Sequence, residues 1–282
     1  MHLNIFVSQQ CFSYCSGCYS FSREEKCNKI LPTDIILKFL RYAYESGIKS
    51  ITLCGGDPLT RNDIIGLLSE IKNIGYYISL DTLGTSIVKA IQIKNKKINM
   101  INVELLSKLV DKIGIPIDGS NSEIINHFRN SHKDILNQQL RICEKLNNCN
   151  ANICINVVVN KGNIDDVDGM VNLINKLNYI KKWQFFQFIP SGKYGLMNRK
   201  KFEINDLEFE YYKKNIIKKV EYKENIEFKS IKDRDKKYIL IDNSGDAWLS
   251  STQEHSFNRK IIGNIKNQKD WKKICFLVKK GD

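Results

Sequence analysis

"HLNIFVSQQCFSYCSGC", residues 2–18, runs from an apolar stretch of strand length straight into a loop with three cysteines, and the rest of the chain is read outward from it. "HLNIFVS" (2–8) has the length and apolar content of a β-strand. Cys11, Cys15 and Cys18 follow at once. Loops after strands are where βα folds gather their functional groups. Three thiolates from one such loop can hold three corners of a metal site and leave a fourth open.

Beyond the loop, "PTDIILKFLRYAYESG" reads as a helix with Thr33 as N-cap and Gly47 just past its end. A second strand, "SITLC" (50–54), enters "GGDP". A helix near 60–73 closed by Gly75 then leads to a third strand, "YYISLD" (76–81). "VELLSKLVDKIG" offers a helix, "IGIPID" (113–118) a short strand, and residues 133–147 another helix. "NICINVVVN" (152–160) and "WQFFQFIP" (183–190) are the fifth and sixth strands, separated by the helical "IDDVDGMVNLINKLN". Strands alternating with helices form parallel βαβ units on a right-handed path. The expected fold class is α/β, a partial (β/α)6 TIM-type barrel with its site at the C-terminal ends of the strands.

The pattern changes beyond about residue 195. "FEINDLEFEYYKKNIIKKVEY" is charged and helical, and "YILIDNSGDAWLS" (238–250) reads as two strands joined by an Asn243-Ser244-Gly245 turn. The expected organisation is therefore a core domain over 1–195 and a C-terminal α+β extension over 196–282.

Of the 282 residues, 42% are hydrophobic and 27% charged, as in ordinary soluble domains. No run approaches the roughly 18 apolar residues of a membrane span. "MHLNIFVSQQC" has neither a basic start nor a small-residue cleavage site, so a cytoplasmic protein without membrane partners is expected. The formal charge of +13 invites a nucleic-acid reading. The excess is spread along the chain and is mostly Lys, which shares A- and T-rich codons with Asn and Ile, also plentiful here. With no basic stripe, a nucleic-acid partner is not expected. Nine cysteines, odd in number and unevenly spaced, point to metal or redox chemistry rather than a disulfide framework.

Structural zinc takes four protein ligands, commonly as two Cys pairs. Cys27 could complete a set, but a second pair is missing. An iron-sulfur cubane with one open iron fits three cysteines better. "CFSYCSGC" resembles the C-x3-C-x2-C signature of the radical S-adenosylmethionine (radical SAM) superfamily. "GGDP", Gly55, Gly56, Asp57 and Pro58, resembles that superfamily's GGEP-type turn, with the shorter Asp57 in place of Glu. Adjacent glycines let a backbone approach a ligand with no Cβ in the way.

The resemblance implies a 4Fe-4S cluster on Cys11, Cys15 and Cys18, with S-adenosylmethionine on the fourth iron and its methionine amino group at Gly55–Pro58. It further implies reductive cleavage of the sulfonium C–S bond, a 5′-deoxyadenosyl radical that takes hydrogen from a substrate, and a one-electron donor such as flavodoxin or ferredoxin. "LDTLGT" (80–85) and "PIDGS" (116–120) fall where the family binds ribose and carboxylate, which makes Asp81, Thr82, Asp118 and Ser120 candidates for cofactor contacts. Asn160 falls where the family places a polar contact. For each of these a turn or cap role stays open. Gln187 is either a substrate contact or an internal hydrogen-bonding group, and Cys54 either approaches the cluster or packs. No residue is assigned to catalysis of the hydrogen transfer itself. One departure stands out: many members carry an aromatic residue before the third cysteine, where this chain has Gly17, followed by Cys18 and Tyr19.

The tail "YILIDNSGDAWLSS" resembles that of SPASM-type peptide maturases and related molybdenum-cofactor enzymes. Ser250 and Ser251 stand where those families begin auxiliary-cluster cysteines, so no auxiliary cluster is expected. "KKWQFFQFIPSG" with "FEINDLEFEYY" resembles the viperin group, which acts on a nucleoside triphosphate to give a 3′-deoxy-3′,4′-didehydro product. The expectation is a maturase of a peptide or peptide-derived natural product. The alternatives are a viperin-like nucleotide enzyme and a non-catalytic zinc-binding protein.

Overall fold

Six strands fall where the apolar runs predict them: β1 (His2–Ser8), β2 (Ser50–Gly55), β3 (Tyr77–Asp81), then, after a small hairpin of β4 (Ile91–Ile93) and β5 (Lys96–Ile98), β6 (Lys112–Pro116), β7 (Ile153–Val159) and β8 (Lys182–Gln187). Four more follow, β9 (Ile226–Lys229), β10 (Tyr238–Ile241), β11 (Asp246–Leu249) and β12 (Ile261–Asn264). The computed structural model describes residues 2–20, 30–93, 95–250 and 260–280; Cys27, Ser251 and His255 lie outside them. The strand order is β12-β11-β10-β1-β2-β3-β6-β7-β8-β9, with every neighbouring pair from β10 to β9 parallel. The chain is an α/β fold of the partial TIM-barrel kind, and the strands beyond residue 195 pair at both ends of the six-strand run. β10 and β11 form the antiparallel pair expected around Asn243-Ser244-Gly245, with Gly245 at φ +92°.

The β9–β10 connection requires the sheet to curl. Laid flat, seven strand spacings would separate these two strands by about 34 Å. Residues 230–237 between them include a helical turn, Ile231–Arg234, and even fully extended they would reach only about 30 Å. Tyr238 on β10 accordingly feels the charge of Glu227 on β9.

Side chains alternate across the strands, and the two faces differ in chemistry. The outer face presents Leu3, Ile5, Leu53, Ile78, Ile113, Ile155 and Phe185, all fully buried against the helices. The inner face carries a small apolar cluster of Phe6, Cys54, Leu240 and Trp248 at one side and the polar Asp81, Lys112, Asn156 and Gln184 at the other. The polar side has the composition of a ligand-facing surface rather than of a core.

Helices Thr33–Glu45, Ile64–Ile74, Val103–Leu109, Ile135–Asn148, Val167–Lys176 and Asp206–Lys219 cover the apolar face. Thr33 does not cap the first of them: the N-cap is Pro32, which makes no side-chain cap bond, and the Thr33 hydroxyl instead pairs with Asp63 and accepts from Arg61 at 2.6 Å. The second helix starts later than the predicted residue 60 because Pro58–Thr60 is a 3-10 turn capped by Asp57. Among the described residues no helix is long and apolar enough to cross a membrane.

Candidate active site

The cysteine loop and the Gly-Gly turn are packed backbone to backbone. Gly56 N–H donates to the Ser8 carbonyl at 2.7 Å and Asp57 N–H to the Gln10 carbonyl at 2.6 Å. A Cβ on Gly55, at φ +131°, would meet the Ser8 oxygen at 2.5 Å, and one on Gly56 would meet the Gln10 oxygen at 2.2 Å. The glycines were expected to admit a ligand. They also admit the chain's own loop, which fixes the loop's path.

Asp57 is turned inward. It is 1% exposed, and its carboxylate accepts from Leu59 N–H at 3.0 Å, Thr82 Oγ1 at 2.7 Å and Leu83 N–H at 2.7 Å. Burial pushes its pKa up to about 6, against the pull of those three bonds. Asp57 and Thr82 thus bind the end of β2 to the end of β3. Arg61 reinforces the same corner, 4% exposed and donating to the Val7 and Leu31 carbonyls at 3.1 and 2.9 Å.

The three thiols sit in one electrostatic neighbourhood. Burial drives the Cys11 pKa well up, and Asp57, Cys15 and Cys18 raise it further. Among the described residues no three His, Cys, Asp or Glu side chains converge as ligands of one metal ion. Three thiols from one loop are a donor set that fits a cubane with one iron left open.

Helix Ser122–Arg129 holds the far side of the loop. Ser16 N–H donates to the Phe128 carbonyl at 2.8 Å and Ser13 Oγ to the Arg129 carbonyl at 2.5 Å. A Cβ on Gly17 would lie 2.2 Å from the Phe128 ring. The aromatic cluster of Phe128, Phe188 and Phe202 fills the space that an aromatic side chain at position 17 would need.

Arg129 is a site residue that sequence reading did not single out. It forms a two-pronged ion pair with Asp118, which is 0% exposed, and its Nη1 lies 3.9 Å from Cys15 Sγ. Asp118 also accepts from Val158 N–H at 2.7 Å. Ser120 is committed to Asp166 through both its N–H (2.6 Å) and its hydroxyl (2.7 Å). Asn160 closes its own turn, donating to the Val158 carbonyl and accepting from Gly162 N–H, each at 2.8 Å. Gln187 is an internal hydrogen-bonding group, donating to the Ile204 carbonyl and accepting from Ile231 N–H. The cysteines, Gly55–Pro58 and Thr82 come together at one corner, and Asp118 reaches it through Arg129.

Asp81 points to the inner face and starts a polar belt that the sequence did not reveal. Gly114 opposite it has no room for a Cβ, which would meet Asp81 Oδ1 at 2.1 Å. Asn156 donates to Asp81 at 3.1 Å, Cys154 Sγ lies 3.3 Å from Gln184 Oε1, and Gln184 donates to Glu227 at 2.6 Å. Glu227 pairs with Lys182 at 2.7 Å and Lys229 at 3.6 Å. Between belt and loop, the Tyr19 hydroxyl hydrogen-bonds Cys54, whose pKa burial and then Asp81 raise.

The family model "Radical SAM superfamily" matches residues 5–174. The chain is 26% identical over 219 residues to a probable GTP 3′,8-cyclase of Methanococcus aeolicus, covering 76% of this chain and 67% of that one. It is also 26% identical over 227 residues to a GTP 3′,8-cyclase of Helicobacter pylori, covering 75% and 64%. The chain thus spans about two thirds of these curated relatives. The crystal structure of Streptococcus suis SuiB bound to precursor peptide SuiA superposes with a TM-score of 0.69 at 17% identity, over 87% of this chain and 58% of SuiB. That likeness is one of fold.

Proposed function

We propose, since this chain belongs to the radical SAM superfamily, that it is an enzyme that modifies a peptide or peptide-derived product by radical hydrogen abstraction. The observation that carries this reading is the three-cysteine loop stitched to the Gly-Gly turn at the C-terminal ends of β1 and β2. Cys11, Cys15 and Cys18 would hold a 4Fe-4S cluster, and the edge of the Gly55–Pro58 turn would face S-adenosylmethionine. When bound, these groups supply one-electron cleavage of the sulfonium and a 5′-deoxyadenosyl radical for the substrate.

The chain's own residues do the positioning. Asp57, Thr82 and Arg61 hold the strand ends in register, and Arg129 sets a positive charge beside Cys15. An electron must also reach the cluster from a donor such as flavodoxin or ferredoxin. The peptide assignment draws support from the maturase-like tail and from the fold shared with peptide-bound SuiB.

The two cyclase relatives favour a second reading, a nucleoside triphosphate substrate. Anaerobic turnover with S-adenosylmethionine and dithionite separates the two. A mass change in a short peptide encoded beside the gene supports the first. Stimulation of 5′-deoxyadenosine release by one nucleoside triphosphate, with all peptides unchanged, replaces it with the second.

A further inference from the structure

We propose that the inner face of the curled sheet binds an oxyanionic group of the substrate, carboxylate or phosphate, on Lys112 of β6, Lys182 of β8 and Lys229 of β9. This deepens the proposed function and rests on it, because Asp81 on that face and Cys18 of the loop both lie within charge range of Tyr19.

Strand alternation puts the three lysines on the face opposite the apolar core, where Asp81 and Glu227 lie within charge range of them, while Asp246 of β11 on the same face is bonded to Ser244 and Asn264. Glu227 is shared between Lys182 and Lys229. Lys112 stands near Asp81 and Cys154 and forms an ion pair with neither. Three ammonium groups share two carboxylates there, so an added counter-charge would relieve the repulsion among them. Like charges crowd here: burial lowers the Lys229 pKa, Glu227 raises it, and Lys112 and Lys182 lower it again. Arg234 adds a further cation, stacked with Lys229 on the Phe186 ring. An oxyanion would supply the missing counter-charge, and lysine is a flexible point-charge donor suited to either phosphate or carboxylate.

Access agrees with this. The side chains of Lys229 and Lys182 remain 25% and 44% exposed, so a ligand can reach them. Lys112 and Lys182 are the first residues of their strands, whereas the cysteine loop follows the last residue of β1. Lys229, in contrast, is the last residue of β9 and pairs with Phe186, one residue short of the end of β8, so the three ammonium groups are spread along the inner face rather than gathered at one end of it.

The test uses the anaerobically reconstituted holoprotein in calorimetric titrations with inorganic triphosphate and, separately, triglutamate. One probe should bind with 1:1 stoichiometry, and which one it is distinguishes phosphate from carboxylate. Lys112→Gln and Lys229→Gln should each weaken that binding at least tenfold, with iron content and circular dichroism unchanged. Glu227→Gln removes the competing carboxylate and should tighten binding several-fold, a gain that misfolding cannot imitate. Absence of binding by either probe, or affinities that none of the three substitutions moves, overturns the proposal. Failure of the radical SAM reading would look different: no cluster and no 5′-deoxyadenosine, with anion binding intact.

Discussion

Asp57 and Thr82 are joined by a 2.7 Å hydrogen bond that locks the turn after β2 to the end of β3, directly beneath the cysteine loop. The carboxylate in this bond is buried and its pKa stands at about 6, against 3.8 for an ordinary Asp. The folded state therefore holds a proton that the unfolded state releases between these values. In that window the unfolded chain binds fewer protons, so stability falls as pH rises. The cluster-free protein should lose on the order of 3 kcal/mol from this group between pH 4 and pH 6. Thermal melts across the range check it: Asp57→Asn should flatten the slope, and an unchanged slope in that variant would assign the pH dependence elsewhere.

Gly56 and Gly66 make opposite predictions for the same substitution. A Cβ at Gly56 would lie 2.2 Å from the Gln10 carbonyl, whereas one at Gly66, inside helix Ile64–Ile74, meets nothing within 4 Å. Gly66→Ala should stabilise by about 0.5–1 kcal/mol through helix propensity alone. Gly56→Ala must push the cysteine loop off the turn, which should lower both the melting temperature and the iron retained after reconstitution. Denaturant midpoints and iron content report the two effects side by side.

Arg129 and Asp118 form a pair in which each partner is costly to leave alone. Asp118 is 0% exposed and the Arg129 side chain 16%. Removing one member of a buried pair typically costs about 3–5 kcal/mol. Arg129→Met and Asp118→Leu should each destabilise on that scale, and the double variant by clearly less than their sum. Strict additivity in urea unfolding would show that the two residues do not act as a pair.

Gln187 should matter for stability and not for turnover. Gln187→Leu leaves the Ile231 N–H without its 2.9 Å acceptor, at a cost of about 1–3 kcal/mol. Michaelis constants for substrate that rise with little change in stability would mean that Gln187 contacts substrate after all.

The sequence made the loop and the turn legible because each is a compact run of unusual residues beside a strongly apolar strand. Cys11, Cys15, Cys18 and Gly55–Pro58 need no long-range information to be noticed. Arg129 carries no such mark: it is one arginine at a helix end, and only folding brings it to Cys15. The polar belt is hidden by the period of the strands, since Asn156 and Gln184 interrupt apolar runs singly and look like isolated exceptions. β9 is four half-buried residues in a charged region, and β4 and β5 are three residues each, too short for any periodicity to show. The Gly-Gly pair's packing against the cysteine loop was not legible, because close approach of backbone to backbone and of backbone to ligand leave the same trace in a sequence.

The most direct measurement is 5′-deoxyadenosine released by the anaerobically reconstituted protein with S-adenosylmethionine and dithionite, beside Cys15→Ala treated identically. The account predicts about four irons per chain and release by the wild type, with loss of both in the variant. A wild-type protein that takes up no iron-sulfur cluster, or a Cys15→Ala protein that releases 5′-deoxyadenosine as fast as the parent, would contradict it.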